Sequence, residues 1–222
     1  MSSEDSWLKN LKRDKGGFWG DPYWYDLQLE KRLPQAKTML QQLVFALPPC
    51  GDKQVLDLCA GSGRAAFALL KAYPTAHVAL VDASEQRLSM ARQRLAPHHV
   101  VSHVMTLTPS DSIQLCADES MDLVVACLAF HVLVEQPLHY AQTRDEQELD
   151  VKEKYRVFFR ATWRALRPGG HIVFADHVGQ LSMFQQLQAL KKAGFQDVDS
   201  AWRVDDSFVA GGRKPLLDLL LA

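Results

Sequence analysis

Apolar and polar positions alternate along this chain in blocks of two kinds. Short apolar runs at 55–58, 77–82, 100–107, 121–128 and 171–177 have the length and composition of strands. The run 121–128 is apolar almost throughout, as expected of a strand buried on both faces. Between the runs lie segments with helical spacing at 64–73, 84–95, 152–166 and 181–193. Ser84 is placed to cap the second of these, with Arg87, Arg92 and Arg94 toward solvent. The third carries Tyr155, Phe158, Phe159, Trp163 and Leu166 on one stripe and is stopped by Arg167-Pro168-Gly169-Gly170. Gly194 closes the fourth. Two last β segments, 198–204 and 207–211, flank Asp205-Asp206 and predict an antiparallel hairpin. This alternation predicts an α/β fold: a doubly wound, mainly parallel sheet with helices on both faces and ligands at the C-terminal strand ends.

Residues 1–50 are of another kind and are expected to form an N-terminal aromatic and helical cap, with 51–222 as the main domain. Lys12, Arg13, Lys15 and Gly16-Gly17 open it, followed by the aromatic group Phe18, Trp19, Tyr23, Trp24 and Tyr25. From 26 to 47 the spacing of Leu29, Leu33, Ala36, Met39, Leu40, Leu43 and Val44 predicts one helix ending at Pro48-Pro49. Aromatic rings here have two uses, packing between elements or walling a flat ligand. Residues 134–151 form a long polar loop with His139 and Tyr140, of the length that in compact α/β domains tends to carry function.

The first strand runs into Cys59-Ala60-Gly61-Ser62-Gly63, a turn of small residues before a helix. Strand, glycine turn and helix start form a place where backbone N–H groups point outward and a ligand can touch the main chain. Nineteen residues after Gly63, the second strand ends in Asp82, placed to accept hydrogen bonds from ribose hydroxyls. Together these read as a nucleoside-binding βαβ unit. The turn lacks the third glycine of G-x-G-x-x-G, since Ala66 stands three residues after Gly63, which disfavours a dinucleotide-dependent oxidoreductase.

A chain of 222 residues, 47% hydrophobic and 23% charged, suits one such domain with additions and is not disordered. Its net charge of −1 lacks the basic excess of a nucleic-acid-binding surface. Arg144, Lys152, Lys154 and Arg156 are the one basic cluster, and Asp145, Glu146, Glu148, Asp150 and Glu153 offset it. Cys50, Cys59, Cys116 and Cys127 form no C-x-x-C pair, so neither a disulfide nor a metal site is expected. With a polar start and no long apolar run, the expectation is a cytoplasmic protein outside the membrane.

Five motifs in order give the chain a resemblance to a known family. They are 55–63, Leu80-Val81-Asp82-Ala83-Ser84, the run from Met121 to His131, the segment from Leu166 to Phe174, and Leu190-Lys191-Lys192-Ala193-Gly194-Phe195. Over residues 35–212 the chain resembles the class I, Rossmann-like S-adenosylmethionine-dependent methyltransferases, particularly the small-molecule branch that includes ubiquinone and menaquinone methyltransferases. The resemblance implies a seven-stranded sheet with the last strand antiparallel, and S-adenosyl-L-methionine as cofactor with S-adenosyl-L-homocysteine as product. It also implies that Asp57 and the backbone of Cys59, Ala60, Gly61, Ser62 and Gly63 hold the methionine end. By the same resemblance Asp82 takes the ribose, Ala83 lies beside the adenine, and Ser110, Asp111 and Ser112 meet the adenine edge. Cys127 and Leu128 would face the sulfonium and methyl. Here Ser110-Asp111-Ser112 departs from the family's usual Asp-Ala, and Cys59 stands where glycine is common.

Methyl transfer from a sulfonium is an in-line displacement that needs alignment, exclusion of water and, for a protonated acceptor, a base. Candidates are the titratable residues at strand ends four and five, His131, Asp176 and His177, with packing or hydrogen bonding as their other use. Trp19, Tyr23, Trp24, Tyr25, His139 and Tyr140 are the candidate acceptor-binding residues. These point to a small, partly apolar or aromatic acceptor rather than nucleic acid. The alternatives are a nucleic-acid or protein methyltransferase, and a non-catalytic cofactor-binding module that works through a partner.

Overall fold

In the computed structural model the described residues are 22–135 and 150–216. The chain divides into two compact units, 1–37 and 38–222. Helix α1 (Pro22–Arg32), in the smaller unit, ends before Leu33-Pro34-Gln35, and helix α2 (Ala36–Phe45) begins after it. One helix over 26–47 was the expectation. Pro34 breaks it, because proline has no N–H to donate and its ring clashes with the preceding turn.

The larger unit is built on a seven-stranded sheet. In chain order its elements are β1 (Gln54–Leu58), α3 (Arg64–Ala72), β2 (His77–Asp82), α4 (Glu85–Arg94), β3 (Val100–Val104) and β4 (Met121–Cys127). There follow α5 (Phe130–Glu135), α6 (Val151–Ala165), β5 (Leu166–His177), α7 (Met183–Lys192), β6 (Gln196–Val204) and β7 (Ser207–Arg213). The strand order is β3-β2-β1-β4-β5-β7-β6. β1 to β5 run parallel, and β7 is antiparallel to both β5 and β6. The expected α/β architecture and closing hairpin are therefore present. β3 stops at Val104, short of the expected 107. β5 starts at Leu166 rather than 171, because Leu166 already pairs with Met121 across a register shift.

Strict alternation along the central strands explains why both faces are covered. In β4, Val124 and Ala126 join one apolar cluster while Leu123 and Val125 join the other. In β5, Ile172 and Phe174 go to the first cluster, Val173 and Ala175 to the second. The first face packs under α5, α6 and α7 around Phe130, Phe158, Phe159, Phe174 and Phe208. Phe130 meets Phe159 and Phe174 edge-on, with ring centroids 5.0 and 5.2 Å apart. The second face carries Met39, Leu43, Leu69, Leu88 and Leu95. Among the described residues no helix is long and apolar enough to cross a membrane.

Local signals set the helix ends as read. Ser84 accepts from the Arg87 N–H and so caps α4. Ser182 and Gln185 form a capping box at the start of α7. Gly63 precedes α3 at φ 78°, and a Cβ added there would lie 2.9 Å from the Ala91 Cβ. Glycine is thus required twice over, by the left-handed backbone and by the close approach of α4. Gly61 has φ 54° but no neighbour nearer than 4.0 Å. We expect Gly63→Ala to cost about 1–3 kcal/mol in denaturant unfolding, and Gly61→Ala to cost clearly less. Equal losses would show that α4 does not press on the turn.

Candidate active site

Parallel order brings the C-terminal tips of β2, β1, β4 and β5 side by side, and Asp57, Cys59, Asp82, Cys127, Leu128, Asp176 and His177 stand at or beside these tips. Two of them hold strained backbone. Cys59, one residue past β1, has φ 57°, and Leu128, one past β4, has φ 56°. Non-glycine residues in the left-handed region cost energy and gather where function fixes the chain. Here they end adjacent strands, whose last pair is Leu58 with Ala126.

Asp57 is buried at 1% exposure on the β1 side that faces α3. Its Oδ2 accepts the Ala66 N–H at 3.1 Å, and its Oδ1 has no hydrogen-bond partner. Burial pushes its carboxyl up to about 7, against the Ala66 N–H, with Asp82 raising it further. A buried acceptor atom without a partner is expensive for an apolar interior and fits a site made for a donor or a cation.

Asp82 at the end of β2 accepts the Gly61 N–H on Oδ2 and the Ser84 N–H on Oδ1, both at 2.9 Å. A carboxylate offers about four lone-pair sites, so capacity for two further donors remains. The Gly63 N–H donates to the Ala60 carbonyl at 2.8 Å, and the Ala60 N–H to Val81. The expected outward-pointing amides are therefore not what this turn presents at Ala60, Gly61 and Gly63. Its contribution is close approach, with small side chains over the strand tips. Ser62 is held from the far side, since the Arg94 guanidinium donates to its carbonyl at 2.5 Å and to its Oγ at 2.7 Å. Arg94 was expected to face solvent, and this second use of it was missed.

Cys59 and Cys127 carry neutral thiols. Burial pushes both up, with Asp82, Asp57 and Asp176 adding at Cys59, and Asp57 and Asp176 at Cys127. These three carboxylates are the negative centre of the strand tips, with Arg87 and Arg64 as counterweights. Such a field favours a cationic ligand, and so fits the sulfonium and ammonium of S-adenosyl-L-methionine.

At the tips of β4 and β5 the three candidate base residues come together. His131 Nδ1 lies 2.5 Å from Asp176 Oδ1, and the His131 N–H donates to Asp176 Oδ2 at 3.2 Å. The His177 N–H donates to Asp176 Oδ1 at 2.9 Å. The two imidazole rings touch, with centroids 3.9 Å apart. Asp176 is 1% exposed and His131 6%. A carboxylate at Nδ1 fixes the tautomer of His131 and leaves Nε2 with a lone pair, as an acid–base or ligand atom requires. One ligand atom from each of the three lies within 4.8 Å of the others, a grouping able to hold a metal ion. Considering cysteines alone had led to the expectation of no metal site.

The remaining candidates fall elsewhere or outside the described residues. Ala83 is exposed beside Asp82. Ser110 and Ser112 face one another at 3.2 Å, while Asp111 pairs with Arg160 at 2.8 Å and its carbonyl accepts from Arg164. This turn is thus tied to α6, where Asp111, Arg160, Trp163 and Arg164 line a groove of about 390 Å³. On the same helix Glu153 pairs with Arg156 of the basic cluster and also with Arg160. Trp19, His139 and Tyr140 lie outside the described residues, as does Arg144. Tyr23, Trp24 and Tyr25 lie in α1, but their side chains are outside the description.

Comparison with known proteins places this geometry. A family described as "methyltransferase domain" matches residues 55–144. The ribosomal RNA small subunit methyltransferase B of Serratia proteamaculans is 32% identical over 162 residues, 67% of this chain and 37% of its own length. The chain thus spans little over a third of that curated relative. An O-methyltransferase family protein from Burkholderia thailandensis has the same fold, with TM-score 0.65 and 13% identity over 97% of this chain and 70% of its own. So has the methyltransferase solved with the Haloferax volcanii Trm112 activator, at TM-score 0.62 and 17% identity over 87% and 97%. The expectation against nucleic acid gains no support from a ribosomal RNA methyltransferase among the relatives. Residues 55–144 thus match a methyltransferase domain, and the β3-β2-β1-β4-β5-β7-β6 sheet gives the chain the fold of the S-adenosyl-L-methionine-dependent methyltransferases.

Proposed function

We propose that this chain transfers a methyl group from S-adenosyl-L-methionine to a small, partly apolar or aromatic acceptor. The observation that carries the proposal is the meeting of two groups on adjacent strand tips. Asp57 and Asp82 stand beside the glycine turn, and His131, Asp176 and His177 stand at the ends of β4 and β5. The cofactor supplies a methyl already activated on sulfur. The protein's work is then to hold, orient and exclude water. Asp57 takes the cationic methionine end, and Asp82 the ribose hydroxyls through its remaining lone pairs. Cys127 and Leu128 line the transfer position with small, neutral or apolar surface. His131 and His177 meet the acceptor and ease the loss of its proton, while Asp176 positions His131. Trp19, Tyr23, Trp24, Tyr25, His139 and Tyr140 enter from the sequence alone, as rigid walls and polar contacts for a flat acceptor.

A second reading has one observation behind it. The relative named above acts, by its name, on ribosomal RNA. Against RNA stand the net charge of −1 and the pairing of Arg156 and Arg160 with Glu153. Labelled methyl transfer to small-subunit ribosomal RNA, compared with transfer to a panel of phenols, amines and enols, separates the two. An RNA acceptor would also show a steep loss of binding with salt, and a small neutral one would not.

Three outcomes test the proposal. Titration calorimetry should show S-adenosyl-L-methionine binding that Asp82→Ala weakens by about 1–3 kcal/mol, as for a lost buried hydrogen-bond partner. No binding to folded wild type overturns the cofactor assignment. Because burial pushes Asp57 up to about 7, the folded protein holds a proton there that the unfolded chain releases near 4. The stability this group contributes is thus present below pH 4 and lost as pH rises through 7. A cationic ligand favours the ionised form, so affinity should rise with pH up to about 7, and Asp57→Asn should flatten both dependences. A wild-type affinity independent of pH from 5 to 8 contradicts a contact between Asp57 and a cation. Finally, His131→Ala should lower kcat on the acceptor by about a hundredfold or more while leaving cofactor affinity within about twofold.

A further inference from the structure

Proton transfer needs no more than His131 and Asp176, so His177 has room for a further part. One imidazole fixed by one carboxylate is a complete base. A second ring stands 3.9 Å from the first. Both rings are also prepared in the same way. His131 Nδ1 faces Asp176 Oδ1 at 2.5 Å, and His177 Nδ1 faces the Val178 carbonyl at 3.3 Å. A ring nitrogen of His131 and a carboxylate oxygen of Asp176 thus stand about as close as two ligands of one ion stand, and His177 adds a second imidazole.

The scaffold is rigid on both sides. His131 is the second residue of α5, directly after β4, and His177 is the last residue of β5. β4 and β5 pair up to Cys127 and Ala175, one and two residues before the triplet's strand-side members Asp176 and His177. Asp176 is fixed by two backbone N–H groups as well as by His131. Together the three place one ligand atom each within 4.8 Å of one another, two of the residues being buried and the third half-buried. This differs from a surface cluster of acids, which water and counter-ions solvate.

We propose that His131, Asp176 and His177 hold a divalent first-row transition ion at the acceptor end of the site. Two imidazoles with one carboxylate suit zinc, iron, cobalt or manganese better than magnesium, which takes oxygen ligands. Three protein ligands leave positions open to an acceptor oxygen or nitrogen. A cation held there would lower the pKa of such a group, so that its proton would pass more readily to water before methyl transfer. The acceptor class narrows to molecules with an ionisable oxygen or nitrogen able to ligate. The inference rests on the reading of this region as the acceptor side, while ion binding itself is measured without cofactor or acceptor.

The test is equilibrium dialysis of the full chain, purified through chelator, against Zn²⁺ and Co²⁺, with Mg²⁺ as control. The visible absorption of Co²⁺ reports its ligand geometry. Wild type should bind one equivalent of Zn²⁺ and of Co²⁺, and His177→Ala should weaken that binding at least tenfold. His99→Ala/His103→Ala, which removes two exposed histidines elsewhere, should leave it unchanged. Asp176→Asn keeps the side chain's size and should also weaken binding. Titration of S-adenosyl-L-methionine into His177→Ala keeps the two readings apart, because cofactor binding there should persist. Absence of stoichiometric Zn²⁺ or Co²⁺ binding to wild type, or binding that survives His177→Ala, overturns the ion and leaves a metal-free pair of His131 and Asp176. Loss of binding in His99→Ala/His103→Ala assigns the ion to the surface and overturns it equally.

Discussion

Everything in the candidate site depends on the parallel pairing of β1 with β4. β1 continues in sequence to β2 on one side, yet its other neighbour is β4, reached only after one more helix and one more strand beyond β2. At such a reversal of strand order the connections leave in opposite directions, and the tips between them stay uncovered. Because these strands alternate cleanly between two apolar clusters, polar groups have nowhere to go but the tips. Asp57 is the exception within a strand, and it carries the buried oxygen without a partner. The register of Leu58 with Ala126 then sets Cys59 and Cys127 next to one another in the sheet order, between the cofactor side and the acceptor side.

The same constraint concentrates negative charge. Asp57, Asp82 and Asp176 are all at 7% exposure or less. Burying carboxylates is costly, and an edge that keeps three of them suits a cationic ligand. Asp82 has a structural part of its own. Its oxygens tie the glycine turn to the start of α4, so this acid is already fixed in place. Arg94 and the tight contact between Gly63 and Ala91 hold the turn from behind. The cofactor side is therefore preorganised by α4, an element that contributes Arg94 and Ala91 and no expected ligand-contacting residue.

Much of this was legible in the residues, because period and turn chemistry are local. The alternation of strands and helices, the Ser84 cap, the final hairpin and the tip positions of Asp57, Asp82 and His131 all follow from short windows of sequence. What was not legible depends on distant neighbours. Leu166 joins β5 only because Met121 lies across from it. Arg94 looked solvated because its partner Ser62 is thirty-two residues away. Asp111 turns to Arg160, which no motif around either residue announces. His131 and Asp176 are forty-five residues apart, and only the adjacency of β4 and β5 makes them a pair. Pro34 was different, for its signal was local, and the continuing apolar spacing on both sides concealed it.

The account's central claim is that ligand and chemistry share one line of strand tips. The most direct measurement is a crystal structure of the chain with S-adenosyl-L-homocysteine. The account predicts ribose hydroxyls within hydrogen-bond distance of Asp82, the ammonium on Asp57, and the sulfur beside Cys127 and Leu128 facing His131. A ribose on other side chains, or a sulfur remote from the ends of β4 and β5, would contradict it.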